Sequence, residues 1–182
     1  WHVDFALGGS QKVLSAPADM SFLSISPVAW DVIESVGYEG YDALLPFHHA
    51  QENFYFPYTP HWHGIFALNI ATKLLLNEGL QNVYTRHQLV ASYIQEQSQR
   101  IGYELFPALN AVLSPTVTAL KVPESVPWQV LDHRFREQGL VVGGSYGPLT
   151  GKVFRLGHMG TQANMVLAHQ VIDVLNKTIQ TI

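Results

Sequence analysis

The sequence predicts an α/β fold of short strands carrying amphipathic helices, in a chain of 182 residues, enough for one domain or two small ones. Three observations predict it. Short apolar or alternating runs end on turn residues, as at 3–7 before Gly8-Gly9-Ser10 and at 21–26 before Pro27. Longer stretches, above all 80–101 and 162–179, repeat apolar residues at i, i+3 and i+4. The two kinds of stretch then alternate through the second half of the chain.

Each element follows from local chemistry. In the second run Phe22, Leu23 and Ile25 stand against Ser21, Ser24 and Ser26, the pattern of a half-buried strand. Ser26-Pro27 supplies an N-cap and a proline at the first helical position, so a helix runs to about Val36 and stops before Gly37. Ile65, Phe66, Leu68, Ile70, Leu74 and Leu75 predict a helix up to Gly79, a C′ residue. The next, 80–101, places Val83, Leu89, Val90, Tyr93 and Ile94 on one stripe and stops at Gly102. Because a helix of this length often bridges domains, we place a boundary near residue 100. Strands are expected at 103–106, 116–122, 140–142 and 152–156, and helices at 127–138 and from 161 or 162 to 179. These make a small mixed sheet with helices on it.

Composition narrows the function. Charged residues are 13% of the chain, against about 25% in typical soluble domains. Part of the surface is therefore expected to lie against another chain. A net charge of −4 with scattered Lys and Arg excludes a nucleic-acid footprint. No apolar stretch approaches the roughly 20 residues of a membrane helix. The absence of cysteine removes disulfide scaffolds, thiolate zinc sites and cysteine nucleophiles, and fits a reducing compartment such as the cytoplasm. Trp1-His2-Val3-Asp4-Phe5 is not a signal peptide and reads as the inside of a fold, as if cut from a longer chain. Residues 37–61 hold Tyr38, Tyr41, Phe47, Phe54, Tyr55, Phe56 and Tyr58 without any period, and are expected to form an interface loop.

Two side chains stand where chemistry is possible. Lys12 follows a strand and a Gly-Gly-Ser turn beside Val13 and Leu14; partial desolvation there would favour the free amine that Schiff-base chemistry needs. A snorkelling surface lysine is the simpler local reading. Arg155 lies in the apolar strand Lys152-Val153-Phe154-Arg155-Leu156, suited to bidentate carboxylate recognition or, equally, an outward-facing strand position. His48-His49 and His61-Trp62-His63 lack an acidic partner at metal-binding spacing, so packing roles are expected and no metal. Gly143-Gly144-Ser145-Tyr146-Gly147 has no helix with a Lys-Ser/Thr start after it, and reads as a tight strand connection rather than a phosphate cradle.

Taken in order, Asp4, Gly9-Ser10-Gln11-Lys12, Ala16-Pro17, Tyr58-Thr59-Pro60, Asn77-Glu78-Gly79-Leu80, Arg86-His87, Ser114-Pro115-Thr116-Val117-Thr118 and Gly151 to Gly160 form a familiar series. It resembles the C-terminal half of class V pyridoxal-phosphate aminotransferases, the alanine–glyoxylate and serine–pyruvate group. The resemblance covers nearly the whole chain. It implies a fold-type I transferase: 1–100 as the end of the large cofactor domain, with interface loop and connecting helix, and 101–182 as the small C-terminal α/β domain. It implies pyridoxal 5'-phosphate as cofactor, and a homodimer that moves an amino group between a small amino acid and a 2-oxo acid. Lys12 matches the lysine that bonds the cofactor and shuttles the Cα proton, and Gln11 a phosphate or ring-side contact. Thr59 matches a threonine reaching the neighbouring subunit's cofactor phosphate, and Arg155 the arginine gripping the substrate carboxylate. This chain departs from many relatives in Pro17-Ala18-Asp19, where they have Pro-Pro-Gly, and in Phe56, where some carry tyrosine. Donors such as 2-aminoethylphosphonate or pyridoxamine stay open, as does a dimerisation fragment without cofactor.

Overall fold

A computed structural model describes residues 2–181; Trp1 lies outside the described residues. The chain divides between Leu74 and Leu75 into two compact units.

The first unit begins with β1 (Phe5–Gly9) and β2 (Ser21–Ile25), paired antiparallel with Phe5 opposite Ile25 and Gly9 opposite Ser21. Phe5, Leu7, Phe22 and Leu23 remain exposed on this two-stranded sheet. Then α1 (Pro27–Val36) forms as its caps dictate: the Ser26 Oγ accepts from the Ala29 N–H at 3.1 Å, and Gly37 closes the helix in the left-handed region. Residues 37–61 are irregular apart from a 3-10 turn at Leu45–Phe47. Phe47 gathers Phe56 and Tyr58 at ring distances of 5.5 and 5.9 Å, while Tyr41, Phe54 and Tyr55 face outward. The long α2 (Trp62–Glu78) follows, and the division between the units falls within it.

The second unit holds α3 (Leu80–Arg100), β3 (Val117–Lys121), α4 (Trp128–Glu137), β4 (Gly143–Gly144), β5 (Val153–Gly157) and α5 (Met165–Ile179). Its three strands lie in the order β3-β5-β4, each pair antiparallel. The expected mixed sheet is thus corrected to an antiparallel one: the chain crosses by way of α4 from β3 to the far edge at β4, and β5 returns between the two, antiparallel to both. Val90 and Ile94 of α3, Leu131 and Phe135 of α4, and Ile172 and Leu175 of α5 pack on Leu120, Phe154 and Leu156 of the sheet. Phe154 is fully buried at the centre, edge-on to Tyr103 and stacked on Trp128.

Two predicted strands move. Residues 103–106 make only a single bridge, Leu105 to Leu120, because Tyr103 turns into the core and donates its hydroxyl to the Leu175 carbonyl at 3.3 Å. Burial raises the Tyr103 pKa accordingly. The strand expected at 140–142 forms instead at Gly143–Gly144, while Leu140 and Val142 pack against the core. The last helix starts at Met165, capped by the Asn164 side chain, after a 3-10 turn at Gly160–Gln162.

Candidate functional site

Lys12 sits on the loop joining β1 to β2, and that loop is organised by Ser10. Ser10 is fully buried. Its N–H donates to the Met20 carbonyl at 3.0 Å, and its carbonyl accepts from the Ala16 N–H at 3.0 Å. Its Oγ donates to the Pro17 carbonyl and accepts from the Met20 N–H. The Lys12 N–H turns back to Gly9 and its carbonyl takes the Ser15 N–H, so the backbone under the lysine is fixed locally. The Asp19 carboxylate, at the far end of the loop, meets His61 Nε2 at 3.0 Å.

The lysine itself is exposed, and so is Gln11. Of the two local readings this is the simpler one, a surface lysine, and not desolvation by Val13 and Leu14, which are only half-buried. Lys12, Gln11, Leu7, Val13 and Phe22 border an open hollow of about 560 Å³. Among the described residues no carboxylate pairs with Lys12. Thr59 is exposed on the aromatic loop of the same unit.

Arg155 belongs to the second unit. It lies mid-β5, opposite Ala119 of β3 and Gly143 of β4, between buried Phe154 and Leu156. Strand alternation turns its side chain to the exposed face, where Nε and Nη2 donate to the Gly144 carbonyl at 3.2 and 2.8 Å. The glycine run is therefore strand and connection together, as the absence of a following Lys-Ser/Thr helix suggested.

A third cluster gives the remaining motifs a role that spacing alone did not. Arg86 binds Glu78 bidentately, Nε to Oε1 at 2.6 Å and Nη2 to Oε2 at 2.9 Å. Its Nη1 donates to the carbonyls of Gly160 and Ala163 at 2.6 and 2.9 Å. The pairing holds the Glu78 carboxyl below its ordinary value. The next residue, buried His87, accepts the Gly160 N–H on Nε2 at 2.8 Å, so its Nδ1 carries the proton toward the Val83 carbonyl. Gly160 is thus clamped at both backbone groups, with φ +60° that favours glycine. Just before it, buried His158 meets Thr118 through Nε2 at 2.8 Å, and burial pushes its pKa down. Together these contacts fix the turn leaving the strand that carries Arg155. The histidines of the first unit pack: His48 stacks on Trp30 and meets Glu34, and His63 lies on Trp62.

No protein-family model matches the chain. It is 37% identical over 169 residues to an uncharacterized aminotransferase of Methanocaldococcus jannaschii, covering 88% of this chain and 42% of that protein. It is 31% identical to the alanine–glyoxylate aminotransferase of Callithrix jacchus over 98% of this chain and 45% of the relative. The crystal structure of pyridoxamine–pyruvate aminotransferase from Mesorhizobium loti superposes with a TM-score of 0.92 at 28% identity, covering 98% of this chain and 47% of that one. The chain spans about half the length of the curated relatives it matches. Sequence and fold agree on their kinship: the chain belongs to the class V pyridoxal-phosphate aminotransferases, with the fold-type I architecture that its motifs implied.

Proposed function

We propose that this chain is part of a pyridoxal-phosphate-dependent aminotransferase that moves an amino group between a small amino acid, alanine or serine, and a 2-oxo acid, glyoxylate or pyruvate. The observation that carries the reading is Lys12, an exposed primary amine held on a loop whose backbone is fixed by buried Ser10. The relatives' printed activities support it. The residues fit the cofactor chemically: an exposed amine and the Gln11 amide border one hollow large enough for an aromatic phosphate.

When bound, pyridoxal phosphate supplies an electron-withdrawing ring that acidifies the Cα–H of an amino acid. Lys12 Nζ would hold the cofactor covalently and, as a free amine, would be the base that takes up and gives back the proton at the substrate Cα. Gln11 steadies the ring side or phosphate, and Thr59 offers its hydroxyl to the phosphate of a neighbouring subunit. Arg155 orients the substrate carboxylate.

The same reading makes 1–100 the end of the cofactor domain and 101–182 the small domain, in a cytoplasmic homodimer. The exposed Phe5, Leu7, Phe22 and Leu23 support it, since a two-stranded sheet is marginal alone and these faces suit more sheet or another chain. Pyridoxamine as donor is a second reading, favoured by the superposition on pyridoxamine–pyruvate aminotransferase.

Steady-state transamination by the full-length protein tests the proposal. L-alanine or L-serine with glyoxylate should turn over, Lys12→Ala should abolish turnover, and Arg155→Lys should raise KM for the amino acid. Turnover surviving in Lys12→Ala would contradict the role given to Lys12.

A further inference from the structure

How Arg155 would meet a carboxylate is written in what already holds it. A guanidinium carries five N–H groups in a rigid plane. The Nε–H and the near Nη2–H both point at the Gly144 carbonyl, at 3.2 and 2.8 Å. That edge is occupied. The far Nη2–H and the adjacent Nη1–H form the parallel end-on pair that matches the two oxygens of a carboxylate. Among the described residues no carboxylate lies within ion-pair distance of either.

An aromatic ring stands against the guanidinium as well. The Tyr146 ring lies with its centroid 5.7 Å from Cζ, within cation–π range. Tyr146 is itself 82% exposed, so it packs on little besides Arg155. The carbonyl on the other side of the arrangement is set by the core. A Cβ on Gly144 would come within 3.2 Å of the Trp128 indole, and Trp128 stacks on buried Phe154, the neighbour of Arg155. Core, indole, Gly144 carbonyl and guanidinium form one continuous contact path.

We propose that the Gly144 carbonyl and Tyr146 are positioning elements for Arg155, aiming its end-on fork at a planar carboxylate while the ring braces it by a cation–π contact. The ligand class is a 2-amino or 2-oxo acid engaged through Nη1 and Nη2 in the guanidinium plane. The inference rests on the proposed carboxylate role of Arg155, and the test separates the two.

The test uses the full-length protein in two arms. In the first, Tyr146→Ala raises KM for L-alanine about two- to five-fold with kcat retained, and Tyr146→Phe, which keeps the ring, behaves as wild type. An unchanged KM in Tyr146→Ala, alongside a raised KM in Arg155→Lys, overturns the positioning role and leaves the carboxylate reading standing. If Arg155→Lys leaves KM unchanged too, the underlying reading has failed instead. The second arm needs no turnover: the rate of phenylglyoxal addition at Arg155, localised by mass spectrometry. Labelling should be faster in Tyr146→Ala than in wild type and Tyr146→Phe, and pyruvate should slow it. Equal labelling rates in all three proteins overturn the proposal.

Discussion

Replacing Arg86 should damage this protein far more than breaking its ion pair. Arg86→Ala removes the bidentate contact to Glu78 and the two bonds from Nη1 to the carbonyls of Gly160 and Ala163. Both carbonyl-bearing residues are buried, so their acceptors lose a charged donor without gaining free access to water. Charged hydrogen bonds contribute about 1.5–3 kcal/mol each, and the partial exposure of Arg86 puts these at the low end, giving about 3 kcal/mol for the pair. The Glu78 contact is about one-third exposed on each side and, once screening is allowed for, adds no more than about 1 kcal/mol. Urea denaturation of the full-length protein, with Glu78→Gln as companion, separates the two contributions. The midpoint should fall steeply in Arg86→Ala and only slightly in Glu78→Gln, with m unchanged in both. Equal losses in the two variants would refute the claim that Arg86 works mainly as a clamp on the 160–163 turn.

Three further outcomes follow from the same contacts. Glu78 is held below its ordinary value of 4.5 by the Arg86 hydrogen bond, so the pair contributes fully above that pH and is lost as pH falls through the lower folded value; Glu78→Gln should remove this acid-side loss. Buried His158 is held below the ordinary 6.5, so the unfolded chain binds more protons just below that pH and stability declines there on acidification. His158→Gln should flatten the decline in a pH series of urea midpoints, and an unaltered slope would contradict it. Ser26→Ala removes the cap on the Ala29 N–H and the bond to Asp4, and should cost about 1 kcal/mol in the same assay, whereas a loss below about 0.3 kcal/mol would show that the cap is dispensable.

What could be read from the sequence is what local chemistry determines. The first helix was legible from Ser26-Pro27 to Gly37 because capping needs only neighbouring residues. β2 and β5 were legible because their neighbours alternate or run apolar between breaks. The strand at Gly143–Gly144 was hidden. No propensity favours glycine there, and the site is selected by the close approach of Trp128 and by pairing with Arg155 and Phe154. Residues 103–106 look like a strand because Tyr103 and Phe106 are aromatic, yet Tyr103 serves the core.

The candidate site divides in the same way. Lys12 and Arg155 stood out by their settings, and the family resemblance gave them roles. Ser10 carried no signal beyond belonging to a turn, although it makes four hydrogen bonds in the Lys12 loop. Arg86 and His87 were visible as a motif, but Gly160 lies more than seventy residues away, and spacing carries no information across such a distance. The exposure of Lys12 agrees with the simpler local reading, since apolar neighbours in sequence need not cover a side chain in space.

The most direct test of the central claim is covalent. The full-length protein is incubated with pyridoxal phosphate, reduced with borohydride, and its intact mass measured with the adduct localised by peptide mapping. The account predicts a single stoichiometric adduct on Lys12, absent in Lys12→Ala. An unmodified protein, or an adduct spread over Lys73, Lys121, Lys152 and Lys177 with none on Lys12, would contradict it.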